Sequence, residues 1–523
     1  MLKSNSSLHQ IWTAYEQGEL YNTSVGLYET VQRNENFFIG KQWEGLKAPD
    51  LEKPVLNFLK RVVSYFISMI VSDDVGASLT PFHNDRENEQ VCKLLSKEIE
   101  QVIEDAAVKS KHRDLLRNTA VDGDGCFYLW FDPEAENGQP TKGKIHIDNI
   151  ENTKVLFGNP HSPDVQAQPF IQIIMRKPLE MVREDARTFG ASESEIEAIR
   201  TEKEENFGES EDSSDDLVTV VVTMVKDKQS GTVHAAMSTR DVFIRKWWDT
   251  KYRLYPVAYQ CWDKVRSSYH GQAAITGLIP NQIFVNKIWA MAMEQQKNLA
   301  FPFTFYDITR FPNGFKGGAS RQIGVSGNPN EAILSSFRSP DMSNQVLELV
   351  QRTIDYTRDF MGASDAALGN IRPDNTSAII AVQKASAAPL ELQRMTFYQF
   401  VEDYVRIILD MIRVHYGLRA VSVEDASGNA MQSVFDFSRV KYDEMRLKVD
   451  VGASAYWSEL MQIQTLDNLF AKGIITDAIT YLEGIPDTYV KNKNKIIQKL
   501  KEQSALMSVQ NQLGGAANAM PQM

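Results

Sequence analysis

The residues best suited to metal chemistry are two aspartates that flank a glycine in the segment Asp122-Gly-Asp-Gly-Cys126. Alternating carboxylate oxygens can converge on a hard cation such as Ca²⁺. The segment is shorter than a hand-type calcium loop and lacks its later bidentate Glu, and Gly-rich Asp turns are common ahead of strands. We therefore interpret Asp122 and Asp124 as parts of a plain turn. The acidic segment 211–216 is likewise interpreted as a solvated loop.

The short motifs that mark common enzyme classes are absent from the sequence. It contains neither a Gly-x-x-x-x-Gly-Lys-Ser/Thr phosphate loop nor a Gly-x-Ser-x-Gly elbow. The eight His residues lack His-x-x-x-His or Glu-x-x-His spacing, and Cys92, Cys126 and Cys261 are an odd number placed far apart. We expect no catalytic residue, no bound metal and no cofactor.

One stretch of the sequence alternates aromatic and basic residues, which can stack on bases in a single-strand binder. It comprises Trp247, Trp248, Tyr252, Tyr255, Tyr259 and Trp262, with Arg245, Lys246, Lys251 and Arg253 among them. Aromatic residues are also normal in strands. Because the whole chain is acidic, we favour core and sheet packing for these rings.

Size and charge limit the classes of protein to consider. The chain has 523 residues, 43% of them hydrophobic, which is enough for several domains with their own cores. A net charge of −12 argues against a broad grip on nucleic acid, since that grip depends on Lys and Arg neutralising phosphates. The charge does not rule out brief contact with nucleic acid. An acidic channel surface repels DNA and so reduces sticking, which suits a conduit through which a duplex slides.

No segment of the sequence predicts a membrane span. The apolar run from Val62 to Val71 is interrupted by Ser64 and Ser68 and is about half of the roughly 20 residues that a bilayer requires. The first residues lack the apolar core and cleavage site of a secretory signal. We therefore expect no membrane contact, and synthesis in the cytoplasm.

A helix is predicted from about Gly277 to Asn298, and it is the first of the elements that position candidate functional residues. Its apolar side chains cover more than one stripe, so it needs several neighbours. They include Ile283, Phe284, Ile288, Trp289 and Met293. Short strands and turns follow up to Ser339, then a second amphipathic helix, and then a loop rich in Gly, Pro and Asn at 362–376.

The rest of the sequence predicts an α+β fold. Residues 84–114 have helical spacing and predict a helical region. Alternation with a period of two predicts that Cys126–Phe131 pairs with Gly143–Asp148, and that Phe170–Arg176 continues the same sheet. Leu217–Val225 and Val233–Met237 predict a hairpin.

In this order, the segments resemble the portal protein of tailed bacteriophages, the head–tail connector, over roughly residues 20–490. Several loose patterns carry the resemblance. They are Phe37-Phe-Ile-Gly-Lys-Gln-Trp43, Tyr269-His-Gly-Gln, Pro280-Asn-Gln-Ile-Phe-Val-Asn286, and Gly369-Asn-Ile-Arg-Pro-Asp-Asn-Thr-Ser-Ala378 ahead of a long helix.

The resemblance implies a ring of subunits, typically twelve, seated at one capsid vertex, and it implies a domain plan. Residues 1–267 would form an α+β wing, 268–298 and 341–361 the two stem helices, and 299–340 a strand-rich clip. Residues 362–376 would be the tunnel loop, 377–454 the long wing helix with return strands, 455–510 a helical crown, and 511–523 a disordered tail.

The resemblance also implies roles for particular residues. The apolar side chains of the first stem helix would pack against ring neighbours. The clip would dock partner proteins through Phe301, Phe303, Phe305, Arg321 and Ile323. The tunnel loop would meet DNA through Asn370, Arg372, Asp374, Asn375 and Thr376, which suit weak, sequence-blind phosphate contact. The same residues can instead end and restart helices, and both interpretations stay open.

The leading hypothesis is a non-enzymatic portal of the virion that nucleates procapsid assembly with the major capsid and scaffolding proteins. It would dock the large subunit of terminase and then tail adaptors or head-completion proteins, and conduct double-stranded DNA inward and outward. The alternative is a tail adaptor or structural hub without a channel. A nucleic-acid-processing enzyme using Asp122 or Asp124 is a third hypothesis.

Overall fold

A computed structural model of the chain describes residues 2–47, 51–71, 75–81, 86–139, 141–201, 216–301, 303–309, 312–313, 321–326, 334–337, 344–360, 390–424, 430–440 and 445–451, and parts of 463–500. Helices and strands are both abundant, which agrees with the predicted α+β class. In these ranges no helix combines the length and the apolar character that crossing a bilayer requires. The chain divides into two compact units, Met1–Val71 with Ala77–Lys448, and Ser72–Gly76 with Val449–Met523.

The helices have the following bounds: α1 Leu8–Ser24, α2 Leu27–Ile39, α3 Phe58–Val71, α4 Arg86–Asp105, α5 Val108–Asp122, α6 Leu179–Thr188, α7 Glu193–Glu197, α8 Ile279–Ala300, α9 Asn344–Phe360, α10 Glu391–His415 and α11 Ala478–Gly484. The helical region predicted over residues 84–114 is confirmed for the described residues 86–114. The chain turns at Ala107, which has a φ of 50°, so that α4 and α5 are separate helices.

The strands have the following bounds: β1 Val75–Pro81, β2 Asp124–Asp132, β3 Lys144–Ile150, β4 Val155–Phe157, β5 Ile171–Pro178, β6 Leu217–Lys226, β7 Val233–Ser238, β8 Phe243–Asp249, β9 Val257–Cys261, β10 Phe303–Asp307, β11 Arg321–Val325, β12 Leu334–Phe337, β13 Leu418–Glu424, β14 Ala430–Asp436 and β15 Met445–Val451. The sheets have the orders β1-β15, β3-β2-β9, β4-β5-β6-β7-β8, β11-β10-β12 and β13-β14.

The five-stranded sheet is a consecutive antiparallel meander with helices on both faces. Val218 and Val220 of β6 pack in one core with α6 and α7, whereas Val221 packs in another with Ile11 and Trp12 of α1. Because both faces are covered, β6 is buried at every position between its two ends and does not alternate between buried and exposed residues. The predicted hairpin of β6 and β7 is confirmed.

The sheet β3-β2-β9 also belongs to the first unit. The predicted pairing of β2 with β3 is confirmed, from Cys126 opposite Ile150 to Asp132 opposite Lys144. The prediction that Phe170–Arg176 continues this sheet is wrong, because β5 pairs with β4 and β6 while β9 supplies the third strand.

Aromatic rings join that sheet to the helices beside it. Phe127 of β2 lies with its ring centroid 6.0 Å from His112 of α5 and 5.1 Å from Phe400 of α10. In the aromatic and basic stretch, the side chains of Tyr252, Tyr255, Tyr259 and Trp262 are buried. The core-packing interpretation is confirmed for these four rings.

The chain between α8 and α9 folds into the small sheet β11-β10-β12. Strand β10 pairs in parallel with β11 and antiparallel with β12. The two helices therefore bracket a sheet, in the order helix, strands, helix. In the second unit, α11 is capped by Asp477, whose carboxylate accepts hydrogen bonds from the backbone N–H groups of Ile479 and Thr480.

Candidate functional site

Helix α8 is attached to the N-terminal part of the first unit by buried polar side chains. Gln282 Nε2 donates to the carbonyl oxygen of Leu56 at 2.7 Å and to Asn286 Oδ1 at 2.9 Å. Asn286 Nδ2 donates to Gln42 Oε1 at 2.6 Å, and Gln42 Nε2 donates to the carbonyl oxygen of Phe37 at 3.0 Å. Two of the sequence patterns quoted above thus meet directly, although they are far apart in the chain.

This polar ladder, defined here as Gln42, Gln282 and Asn286, fixes the position of α8 along its own axis. Each hydrogen bond contributes about 0.5–1.5 kcal/mol, whereas a buried polar group left without its partner costs about 1–3 kcal/mol. All three side chains are at least nine-tenths buried. A shift of α8 by one turn would leave several of these groups unpaired, so the ladder specifies one register.

Trp289 and Met293 lie on the side of α8 that carries the polar ladder, but closer to its C-terminal end, whereas the other three predicted stem residues lie on other sides of the helix. Ile283 and Ile288 are half-buried in the single chain, whereas the exposed fractions are 37% for Phe284, 38% for Trp289 and 41% for Met293. Sequence reasoning missed Met291, which is 63% exposed. The helix carries its largest apolar side chains where the rest of the described chain does not cover them.

These exposed side chains fall on two faces of α8. Phe284, Ile288 and Met291 follow one another at spacings of four and three residues, which places them along one side of a helix. Trp289 and Met293 instead continue the line of Gln282 and Asn286 towards the C-terminal half. Phe284 and Trp289 are roughly 140° apart around the helix axis, from the 3.6-residue period.

Helix α9 packs beside α8 and adds exposed apolar surface of its own. Asn281 Nδ2 donates to Thr357 Oγ1 at 3.1 Å, and Val350 and Thr357 are buried. Leu349 and Tyr356, seven residues apart, are 50% and 58% exposed. The helix pair α8 and α9 therefore presents apolar side chains from both of its members.

The predicted clip residues lie at the end of α8 and in the small sheet that follows it. Phe301 is 41% exposed, and its backbone N–H donates to the carbonyl oxygen of Lys297 where the helix ends. In the parallel pair, Phe303 lies opposite Arg321 and Phe305 lies opposite Ile323. The structure thus brings four of these residues together on neighbouring strands, and Ile323 is 39% exposed. The tunnel-loop residues Asn370, Arg372, Asp374, Asn375 and Thr376 lie outside the described residues.

The two aspartates of the first motif have different surroundings. Asp124 is buried, and its carboxylate accepts from the backbone N–H of Gly271 at 2.7 Å and lies 2.9 Å from His270 Nδ1. His270 Nε2 lies 3.0 Å from Asn22 Oδ1. This cluster attaches β2 to the turn that leads towards α8, which is a structural role. Asp122 ends α5 and faces a separate cavity.

The described residues contain no group of three or more His, Cys, Asp or Glu side chains placed to bind a metal ion together. The helix pair and the sheet between its helices both carry exposed apolar side chains. No protein-family model and no curated protein matches the chain.

Proposed function

We propose that this protein is the subunit of a phage-type portal, a ring at one capsid vertex through which double-stranded DNA enters and leaves. It acts without catalysis, as a conduit, a docking site and a nucleus for procapsid assembly. Its partners in this role are other copies of itself, terminase, tail adaptors or head-completion proteins, and the capsid and scaffolding proteins.

The observation that carries the proposal is the distribution of exposed apolar side chains on α8. In a cyclic ring each subunit meets two neighbours through two different surfaces. Phe284 and Met291 lie on one face of the helix, and Trp289 and Met293 on another. Large apolar side chains that are exposed together on one side of a helix are suited to contact with another protein. A helix with two such faces could contact one neighbouring subunit through each face, as a head-to-tail ring requires.

The sheet at the end of the helix pair supports the docking part of the proposal. Its strands carry aromatic and aliphatic residues, among them Phe305 and Ile323, next to a helix end that exposes Phe301. A sheet can also accept an additional strand from a partner through its backbone groups. We assign terminase and the tail adaptors to this surface.

Ring formation tests the proposal directly. The purified chain, alone or together with scaffold, is expected to form closed rings with an axial opening, visible by negative-stain microscopy and countable by native mass spectrometry. A chain that stays monomeric under all of these conditions would contradict the proposal. Closed assemblies without an opening would favour a tail adaptor or structural hub instead.

A charge reversal at Arg372→Glu tests the proposed contact of the tunnel loop with DNA. We expect normal rings but altered packaging or retention of DNA, because a favourable phosphate contact of up to about 1 kcal/mol per subunit becomes repulsive. Arg372→Lys, which keeps the charge, is the matched control. Packaged DNA would be measured per particle. Equal amounts for Arg372→Glu and wild type would rule out the DNA contact.

A further inference from the structure

Helix α10 packs on β2 and β9 of the first unit through one apolar face. Phe397, Phe400 and Tyr404 on this face are each only 1% exposed. The imidazole of His112, from α5, reaches into the same contact and is 7% exposed. His is the side chain whose charge ordinarily changes between pH 5 and 8, so a buried His at such a contact can make the packing depend on pH.

The surroundings of this imidazole suit its neutral form. Its ring centroid lies 5.0 Å from that of Phe397, 5.7 Å from that of Tyr404 and 6.0 Å from that of Phe127 on β2. Its Nε2 is buried and has no hydrogen-bond partner among the described residues. A charged imidazolium donates from both ring nitrogens, and attraction to aromatic faces offsets only part of the cost of burying a charge. The contact between α5, β2 and α10 therefore favours a ring without charge.

Burial alone accounts for the shift in the pKa of His112, which falls from the ordinary 6.5 to about 4. The unfolded chain therefore binds a proton below pH 6.5 that the folded chain does not bind until about pH 4. Stability rises with pH wherever the unfolded state holds more protons. This contribution to stability is thus complete above pH 6.5 and is lost as the pH falls towards 4.

In the described parts of the chain, the titratable groups beside the ring supply no counter-charge. Tyr404 of α10 faces it, and burial raises the pKa of that phenol, which stays neutral. On α5 itself, the Lys111 ammonium donates to the carbonyl oxygen of Ile147 in β3, and Arg113 is exposed. Lys111 and Arg113 are cations, so neither can stabilise a charge on His112.

A second imidazole, that of His415, ends α10 and differs from His112 in its partners. It stacks on Phe131 with 3.9 Å between the ring centroids, and its Nε2 lies 2.6 Å from the hydroxyl oxygen of Tyr252. Burial, and then Lys251, lower its pKa to about 4, whereas the dipole at the helix C-terminus favours positive charge. A hydroxyl can accept from a charged ring as well as donate to a neutral one. Protonation thus leaves the Nε2 of His415 with a partner, which the Nε2 of His112 lacks.

We propose that His112 makes the docking of α10 sensitive to acid, holding the helix while its imidazole is neutral and loosening it once the imidazole is charged. The loosened part would be the N-terminal half of α10, where Phe397 and Tyr404 meet the imidazole. Phe127 would lose the same contact, so the change reaches β2, the central strand of the sheet β3-β2-β9. The proposal does not depend on the portal function.

Hydrogen exchange of the full-length chain, followed by mass spectrometry at pH 7.5 and pH 5, tests the proposal. At pH 5 an imidazole of ordinary pKa is about thirtyfold more often charged than neutral. On going from pH 7.5 to 5, α10 of the wild type should therefore lose up to about thirtyfold more protection than α10 of His112→Phe, whose ring cannot be charged. His9→Phe, the same substitution at an exposed position of α1, should behave as the wild type does. His415 is present in every variant, so its contribution is shared.

A second variant and a measurement on the wild type cover the case in which Phe does not fit at position 112. His112→Leu, which cannot be charged either, should also lose the acid-dependent opening. In the wild type, carbon-13 NMR of labelled histidines should show at least one of the eight imidazoles still neutral at pH 5. Eight charged imidazoles at pH 5, or equal acid-dependent opening of α10 in wild type and His112→Phe, would overturn the proposal. Equal loss of that opening in His9→Phe and His112→Phe would also overturn it, because the effect would not depend on the buried position.

Discussion

Trp289→Asp is expected to give a folded subunit that no longer forms rings. The side chain is 38% exposed in the single chain, so a carboxylate at this position can remain hydrated in the monomer. In the proposed ring it would be buried against a neighbour, where an unpaired charge is costly. Aromatic residues at the centre of an interface typically contribute about 2 kcal/mol or more, and the loss repeats at every contact. Sedimentation velocity or native mass spectrometry would give the distribution of assemblies.

The matched control is Gln296→Asp, which adds the same charge at an exposed polar position on α8. It should assemble as wild type does. The circular dichroism spectrum and Tm of both variants should match those of the wild-type monomer. Normal rings from Trp289→Asp would mean that α8 does not form the subunit contact. If neither variant forms rings, the effect is due to the added charge and not to the position of Trp289.

Asp124→Ala is expected to be the most destabilising substitution of a carboxylate in the first unit. It removes the acceptor of the backbone N–H of Gly271 and the partner of His270 Nδ1, both of which are in buried surroundings. Breaking a buried charged hydrogen-bond network by removing one partner costs about 3–5 kcal/mol. We expect the Tm of the first unit to fall by at least about 5 °C in differential scanning calorimetry.

Asp114→Ala serves as the comparison, because this side chain is exposed on α5. Its Tm should stay within about 1 °C of wild type, as is usual for surface substitutions. A fall in Tm for Asp124→Ala no larger than that for Asp114→Ala would contradict the anchoring role. Full recovery of the Tm of Asp124→Ala on addition of Ca²⁺ would also contradict the anchoring role, because Asp124 is proposed to act through hydrogen bonds to the protein and not through a metal ion.

Local sequence patterns predicted the positions of helices and strands better than they predicted which strands pair with one another. The β2–β3 hairpin follows from alternation and a short turn, because both strands and their connection lie within one segment. The sheet to which β5 belongs could not be predicted from local patterns. Strand β9, which comes much later in the chain, occupies the edge of β2 at which β5 was expected. The break at Ala107 had no sequence signal either, since neither Gly nor Pro marks it.

The candidate site was predictable in part. The sequence indicates that α8 is apolar on several sides, and Phe284, Trp289 and Met293 are exposed in the single chain, while their packing against ring neighbours stays a prediction. The side chains that hold α8 to its own subunit are polar, Gln282 and Asn286, and a search for apolar periodicity does not detect them. Their partner Gln42 belongs to a distant segment, so only the tertiary structure reveals the contact.

The polar ladder has a mechanical consequence. Helix α8 is secured by hydrogen bonds near its N-terminal end, at Gln282 and Asn286, whereas its C-terminal half carries exposed side chains and leads into the small sheet. A force applied to the small sheet along the helix axis would be transmitted through α8 to the polar ladder. Helix α8 could slide there only if several buried hydrogen bonds broke together.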